Sequence, residues 1–289
     1  MSTVSAGRWD AQRWPLVQNK KFVAGILVFV TLATITTVID LSVPAAARRS
    51  GANLPRLAPG REALLGTDAL GRSIVVQLGE AVPNSIQIGL IAAAVGTVLG
   101  ACMGFISGYF GGVVDTLLRV LIDVFLSVPS LLFLILIASL ARGVDVQSMA
   151  LIIGLFAWAW PARQVRAQVL SLKERGFVQV ARLSGVSSLE IIVRELMPHM
   201  LPWLGANFVN AFIAAILAES GLSILGLGPQ REMTLGMMIY WALSYGAILQ
   251  NLWWWWFIPV LTLMLLFFAL YLIHLGFDEV SNPRLRADA

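Results

Sequence analysis

Six separate apolar runs dominate the chain: Phe22–Ile39, Ile86–Ile106, Leu117–Leu140, Met149–Leu170, Leu201–Leu225 and Trp253–Phe277. At 1.5 Å rise per residue, about 20 such residues cross the ~30 Å hydrocarbon core of a bilayer. Lipid offers no hydrogen bonds, so backbone at that depth satisfies itself as helix. The expectation is an all-α integral membrane protein with six transmembrane helices. Of 289 residues, 58% are hydrophobic and only 12% charged, against roughly a quarter charged in soluble domains. The 10 Trp and 14 Phe suit aromatic belts at the two interfaces.

The spans divide the chain into a tail (1–21), a first membrane helix (22–40), a long loop (41–82), a five-helix core (83–277) and a second tail (278–289). The first run follows Lys20-Lys21 and precedes Ala45-Ala46-Ala47, which resembles a secretory signal. It exceeds a signal core in length and follows a polar tail of about 20 residues, so it reads as a retained anchor. Basic residues set the orientation. With the N-terminus in the cytoplasm, the inner side holds Arg8, Arg13, Lys20, Lys21, all the Lys and Arg from Arg163 to Arg194, and Arg284 and Arg286. The outer side holds fewer: Arg48, Arg49, Arg56, Arg61, Arg72, Arg142 and Arg231. Both termini are then cytoplasmic, although the long outer loop is itself unusually basic.

Several chemistries lack their residues. No glycine-rich phosphate loop, HExxH motif or Cys/His cluster with metal spacing occurs. His199 and His274 stand alone and read as interfacial helix residues. Cys102 is the single cysteine, which excludes an intrachain disulfide; within an apolar run it reads as a small core residue. The net charge of +4 gives no reason to invoke nucleic acid.

One polar stretch interrupts the lipid-soluble pattern. In "ARLSGVSSLEIIVRELMPHMLP", Gly185 supplies a residue able to close a helix in the left-handed conformation. Ser187, Ser188, Leu189 and Glu190 follow with the spacing of a capping box, and Glu190 precedes Arg194 by four. Leu189, Ile192, Val193, Leu196, Met197, Met200 and Leu201 form one helical apolar stripe, and Pro198 and Pro202 mark the return to the membrane. The expected structure is a helix–turn–helix hairpin over 171–200. Two readings stay open on these residues: an amphipathic hairpin lying on lipid, or a docking element for another protein.

The pattern Ala181-x-x-x-Gly185 with Leu196-Met197-Pro198 resembles the EAA loop of ABC importer permeases. "LLGTDALGRSIVVQL" (Leu64–Leu78), "GYFGGVVDTLLRVLIDVFLSVPSLLF" (Gly108–Phe133), "QVLSLKERGFVQVARLSG" (Gln168–Gly185), "AILAESGLSILGLG" (Ala215–Gly228) and "NPRLR" (Asn282–Arg286) extend the likeness to the C-type permeases of dipeptide and oligopeptide importers. The resemblance implies a MetI-like permease fold in the inner membrane of a prokaryote. It also implies a second, B-type permease, two ATPase subunits and an extracytoplasmic solute-binding protein as partners. ATP and magnesium belong to the ATPases, and this chain binds no cofactor and performs no covalent chemistry. The coupling surface carried over comprises Gln179, Ala181, Arg182, Gly185, Ser187, Ser188, Leu189, Glu190 and Pro198. Gln179 departs from the family's usual Glu, leaving a net-basic face with Arg175 and Arg182. The implied cargo is a di- or oligopeptide, with oligosaccharides and nickel or other metal chelates as alternatives.

Charges at membrane depth are costly and normally paired. Asp115, Arg119 and Asp123 fall at i, i+4 and i+8 and read as a structural ladder along one helix, with a substrate or proton path as the alternative. Glu219 is isolated and stays open between lining the path and bonding a neighbouring helix. A proton-coupled transporter using Glu219 is the rival class. Gly89, Ala92, Ala93, Gly96, Gly100 and Gly104 permit close helix packing. "WWWW" at Trp253–Trp256 points nearly all round a helix and reads as an interfacial belt. In "TDALGR", Thr67 or Asp68 is a candidate cap for a short helix.

Overall fold

The computed structural model describes residues 16–141 and 143–281. Expectations resting on Arg8, Arg13, Arg142, Arg284, Arg286, the Asn282–Arg286 motif and most of the two tails lie outside the described residues.

The described chain is helical, with helices α1 (Lys20–Ser42), α2 (Ile74–Phe110), α3 (Gly112–Ser127), α4 (Ser130–Leu140), α5 (Val146–Phe156), α6 (Ala159–Leu172), α7 (Gly176–Leu183), α8 (Ser188–Ile224), α9 (Leu235–Ser244) and α10 (Trp253–Ser281). Four of these, α1, α2, α8 and α10, are each long and apolar enough to cross a membrane. The third expected span is broken: α3 and α4 meet at a 76° bend, where Pro129 follows an extended Val128. A residue before proline is driven out of the helical region, so the sequence Val-Pro ends α3 there. The fourth expected span, Met149–Leu170, is likewise two pieces, α5 and α6, separated at Ala157-Trp158. Hydropathy alone does not register either break, because apolar residues continue through both.

α2 is the central post, packing against α5, α6 and α8, while α1 lies outside against α10 and α2. Its small-residue stripe is the reason. A methyl group at Gly100 would stand 2.6 Å from the Trp158 carbonyl, one at Gly104 2.6 Å from Val165, and one at Gly96 2.9 Å from Ala157. Glycines four apart therefore bring α2 into backbone contact with the α5–α6 segment. On its other side, a methyl at Gly89 would meet Phe212 of α8 at 2.3 Å. Asp145 caps α5, and hydrogen bonds from the Ser148 side chain and amide hold its carboxyl below the ordinary range.

Two expectations about apolar residues need correction. Cys102 is exposed: Val98, Cys102 and Ile106 share the outward face of α2. In a membrane bundle an apolar run also supplies surface, so hydropathy alone does not identify core. The tryptophans form no simple belt. Trp253 is exposed, but Trp254 and Trp255 are buried in the core with Ile74, Phe212 and Leu235. The Trp254 Nε1–H donates to the Thr67 carbonyl at 3.0 Å.

That bond exposes the role of "TDALGR". Neither Thr67 nor Asp68 caps a helix; both are fully buried and fasten the long loop to itself. Thr67 donates to the Leu54 carbonyl at 2.8 Å and accepts from the Leu57 amide at 2.9 Å. Asp68 accepts from the Leu70 and Arg72 amides at 2.8 Å each, from Arg72 Nε at 2.7 Å and from Gln77 Nε2 at 3.1 Å. A buried carboxylate is stable when each lone pair is so occupied.

Candidate functional site

At the end of the bundle opposite the long loop, α7 and the start of α8 form the expected hairpin. Its first arm is shorter than the sequence suggests: α6 stops at Leu172, residues 173–175 turn, and α7 restarts at Gly176. Lys173 Nζ ties the turn to the Gly108 carbonyl at 3.0 Å. Gly185 has φ +78°, and its amide bonds the Arg182 carbonyl while that of Val186 bonds Ala181. This pair of bonds is the Schellman closure of α7. Ser187 then caps α8 by accepting from the Glu190 amide at 3.3 Å. The Glu190 carboxylate pairs with Arg194, so the capping arrangement is made from the serine side.

The apolar stripe departs from regular helical spacing. Residues Ile191–Leu196 form a π-helical turn in which the Met197 amide reaches the Ile192 carbonyl. Pro198 accounts for it: a proline has no amide for the i−4 carbonyl, and its ring clashes with that carbonyl in an α-helix. The wider turn buries Ile191 together with Ile192, Leu196 and Met200, while Leu189, Val193 and Leu201 face outward. The buried set packs with Val178, Val165, Val169, Phe105 and Tyr109, and the Arg182 guanidinium lies 5.6 Å from the Tyr109 ring centre. The hairpin is thus rooted in the bundle, and its exposed tip is apolar: Leu183 is 89% exposed, Leu189 70% and Val180 64%. Gln179 is exposed beside them and donates to the Glu174 carbonyl at 3.3 Å. Arg182, Gly185, Ser187, Ser188 and Pro198 are also exposed, and Ala181 is half-buried.

The Asp115–Arg119–Asp123 ladder along α3 does not form. Asp115 receives Arg166 Nε and Nη2 from α6 at 2.5 and 2.7 Å and the Ser107 hydroxyl from α2. Asp123 pairs with Arg163 at 2.5 Å, again across to α6. Helix α6 places Arg163 and Arg166 opposite two carboxylates, and a cross-helix fork has better geometry for a guanidinium than an i,i+4 reach. Arg163 and Arg166 are the site residues that sequence reasoning counted only for topology.

Glu219 is fully buried near the other end of α8. Its Oε1 accepts from Ser223 at 2.6 Å and from Thr234, the cap of α9, at 2.5 Å, and its Oε2 lies 3.4 Å from the Ser220 hydroxyl. Glycine permits this approach, since a methyl at Gly236 would meet Ser220 Cα at 2.7 Å. From α2, Glu80 accepts the Met233 amide, Asn84 donates to the Met233 carbonyl and Ser85 accepts the Leu235 amide, at 2.8–3.0 Å. Short α9 is thereby pinned between α2 and α8.

A cavity of about 510 Å³ lies between the α3–α4 elbow, the α5–α6 break and α8, with Phe125, Pro129, Phe156, Trp160, Asn207 and Asn210 among its lining residues. Glu219 does not line it. Asn210 is exposed on this wall in the middle of an otherwise apolar helix. An unpartnered amide in hydrocarbon costs roughly 4–8 kcal/mol, so this face of α8 meets water or protein, not lipid. Among the described residues no cluster of three or more His, Cys, Asp or Glu side chains is placed to hold a metal.

The described chain is thus a bundle of apolar helices whose broken spans flank a cavity, with a rooted hairpin presenting an apolar tip. Residues 96–287 match the family described as binding-protein-dependent transport system inner membrane component, and the chain belongs to that family. It is accordingly a multi-pass permease subunit of the ABC importer class. It is 31% identical over 245 residues to the oligopeptide transport system permease protein OppC of Haemophilus influenzae, covering 84% of this chain and 76% of that one. Against the dipeptide transport system permease protein DppC of Bacillus subtilis it is 29% identical over 272 residues, covering 94% and 84%. A chain of the MetNI methionine ABC transporter in an inward-facing conformation superposes with TM-score 0.53 at 19% identity, over 70% of this chain and 93% of that one. The expected MetI-like fold and C-type permease family are borne out.

Proposed function

We propose that this chain is the C-type permease of an ATP-driven importer of di- or oligopeptides. It works with a B-type permease, two ATPases that bind ATP and magnesium, and an extracytoplasmic solute-binding protein. The names of its relatives support the peptide cargo. The observation that carries the coupling assignment is the hairpin: Leu183 and Leu189 stand almost bare at its tip, while its base is packed into the bundle. A helix lying on lipid needs no left-handed closure and no rooted base. In this reading the tip seats in a groove of the ATPase, and closure of the ATPase pair moves α8 as one lever through its π-helical turn. The transmembrane cavity then alternates in access between the two sides. Both termini and the hairpin face the cytoplasm, and the loop fastened by Thr67 and Asp68 faces outward. The chain itself catalyses nothing. A proton-coupled mechanism through Glu219 is disfavoured by its hydroxyl cage and by its absence from the cavity lining.

Purification of the tagged chain from its own membranes in mild detergent, with partners identified by mass, tests the assembly. A second permease and ATPases carrying a phosphate loop are expected. A chain that comes down alone or only with itself would refute the proposal.

A further inference from the structure

The cavity wall on α8 carries an arrangement that the coupling machinery does not use. Asn207 and Asn210 are three residues apart, hence about 4.5 Å along the helix axis, and both line the cavity. Asn207 Nδ2 is committed to the Trp203 carbonyl at 2.9 Å, which leaves its Oδ1 as an acceptor. Asn210 makes no hydrogen bond among the described residues, so its donor and acceptor are both open. Nine residues beyond Leu201, Asn210 lies about 14 Å into the span, near the bilayer midplane. Around the pair the wall is small, with Ala211, Ala214 and Ala218, and no Asp, Glu, Lys, Arg or His lines the cavity.

We infer that Asn207 and Asn210 form a carboxamide subsite for the backbone of a passing peptide, distinct from any recognition by the solute-binding protein. The inference rests on the peptide-importer reading above. A residue in extended conformation turns its N–H and C=O to the same side, as in a hydrogen-bonded strand pair. The N–H meets Asn207 Oδ1 and the C=O meets Asn210 Nδ2. The alanines let the backbone approach α8, and Phe156, Trp160 and Pro129 face cargo side chains without selecting charge. A charge-free wall suits a group every peptide carries and gives no hold to a metal ion or a chain terminus.

The test compares turnover of trialanine with that of trialanine N-methylated at its central residue, using the whole transporter in proteoliposomes with its solute-binding protein saturated by either peptide. The wild type is expected to turn over trialanine at least fivefold faster than the methylated peptide. Asn207→Leu, which removes the acceptor for that N–H, is expected to slow trialanine to the methylated peptide's rate without changing the latter, and Asn207→Gln to restore part of the preference. A residue needed only for packing or for contact with the second permease would slow both peptides equally. Equal slowing, or no slowing, overturns the subsite and leaves the importer reading intact. A wild type that imports neither peptide overturns the peptide reading and the subsite with it.

Discussion

Replacing both tip leucines by aspartate, Leu183→Asp with Leu189→Asp, separates docking from folding. Burying a leucine side chain is worth about 1.5–3 kcal/mol. Scaled by exposures of 89% and 70%, docking recovers about 1.3–2.7 kcal/mol from Leu183 and about 1.1–2.1 from Leu189. Loss of both, about 2.4–4.8 kcal/mol, weakens seating of the ATPase by roughly 60- to 3,000-fold before the cost of burying carboxylates is added. Because neither side chain is packed in the free chain, stability should stay within about 0.5 kcal/mol of the wild type. The assay pairs the thermal unfolding midpoint of the purified permease with co-purification of the ATPases and with ATP-driven uptake. Retained uptake and co-purification at an unchanged midpoint would show that the tip is not the docking surface. A lowered midpoint would show that the leucines are packed.

Three further outcomes follow from the packing. Gly100→Ala should separate α2 from α6 and cost about 1–3 kcal/mol by overpacking, read as a fall in the unfolding midpoint. Glu219→Gln keeps an acceptor for Ser223 and Thr234 and should retain both stability and uptake. Glu219→Leu strands two buried hydroxyls at about 1–3 kcal/mol each and should lower the midpoint; a Gln variant that is folded but inactive would instead point to a proton site. Asp115→Asn weakens the fork to Arg166 and should cost about 1.5–3 kcal/mol, and a double-mutant cycle with Arg166→Gln should return most of that as coupling.

The amino-acid sequence dictates the helical membrane class, because runs of apolar residues leave the backbone no alternative in lipid. It also determined the hairpin closure, since Gly185 and Ser187 act through bonds to residues three to five positions away. Its regular 3.6-residue stripe failed at Ile191 because the π-helical turn depends on Pro198 seven residues on. Partner choice for Asp115 and Asp123 was decided only by tertiary structure, as α6 presents guanidiniums from some 40 to 50 residues away. The same holds for Glu219, whose hydroxyl cage joins two helices, and for Thr67, whose carbonyl answers to Trp254 across the chain. Local rules fix what a residue can bond; only the packed bundle fixes which of those bonds are within reach.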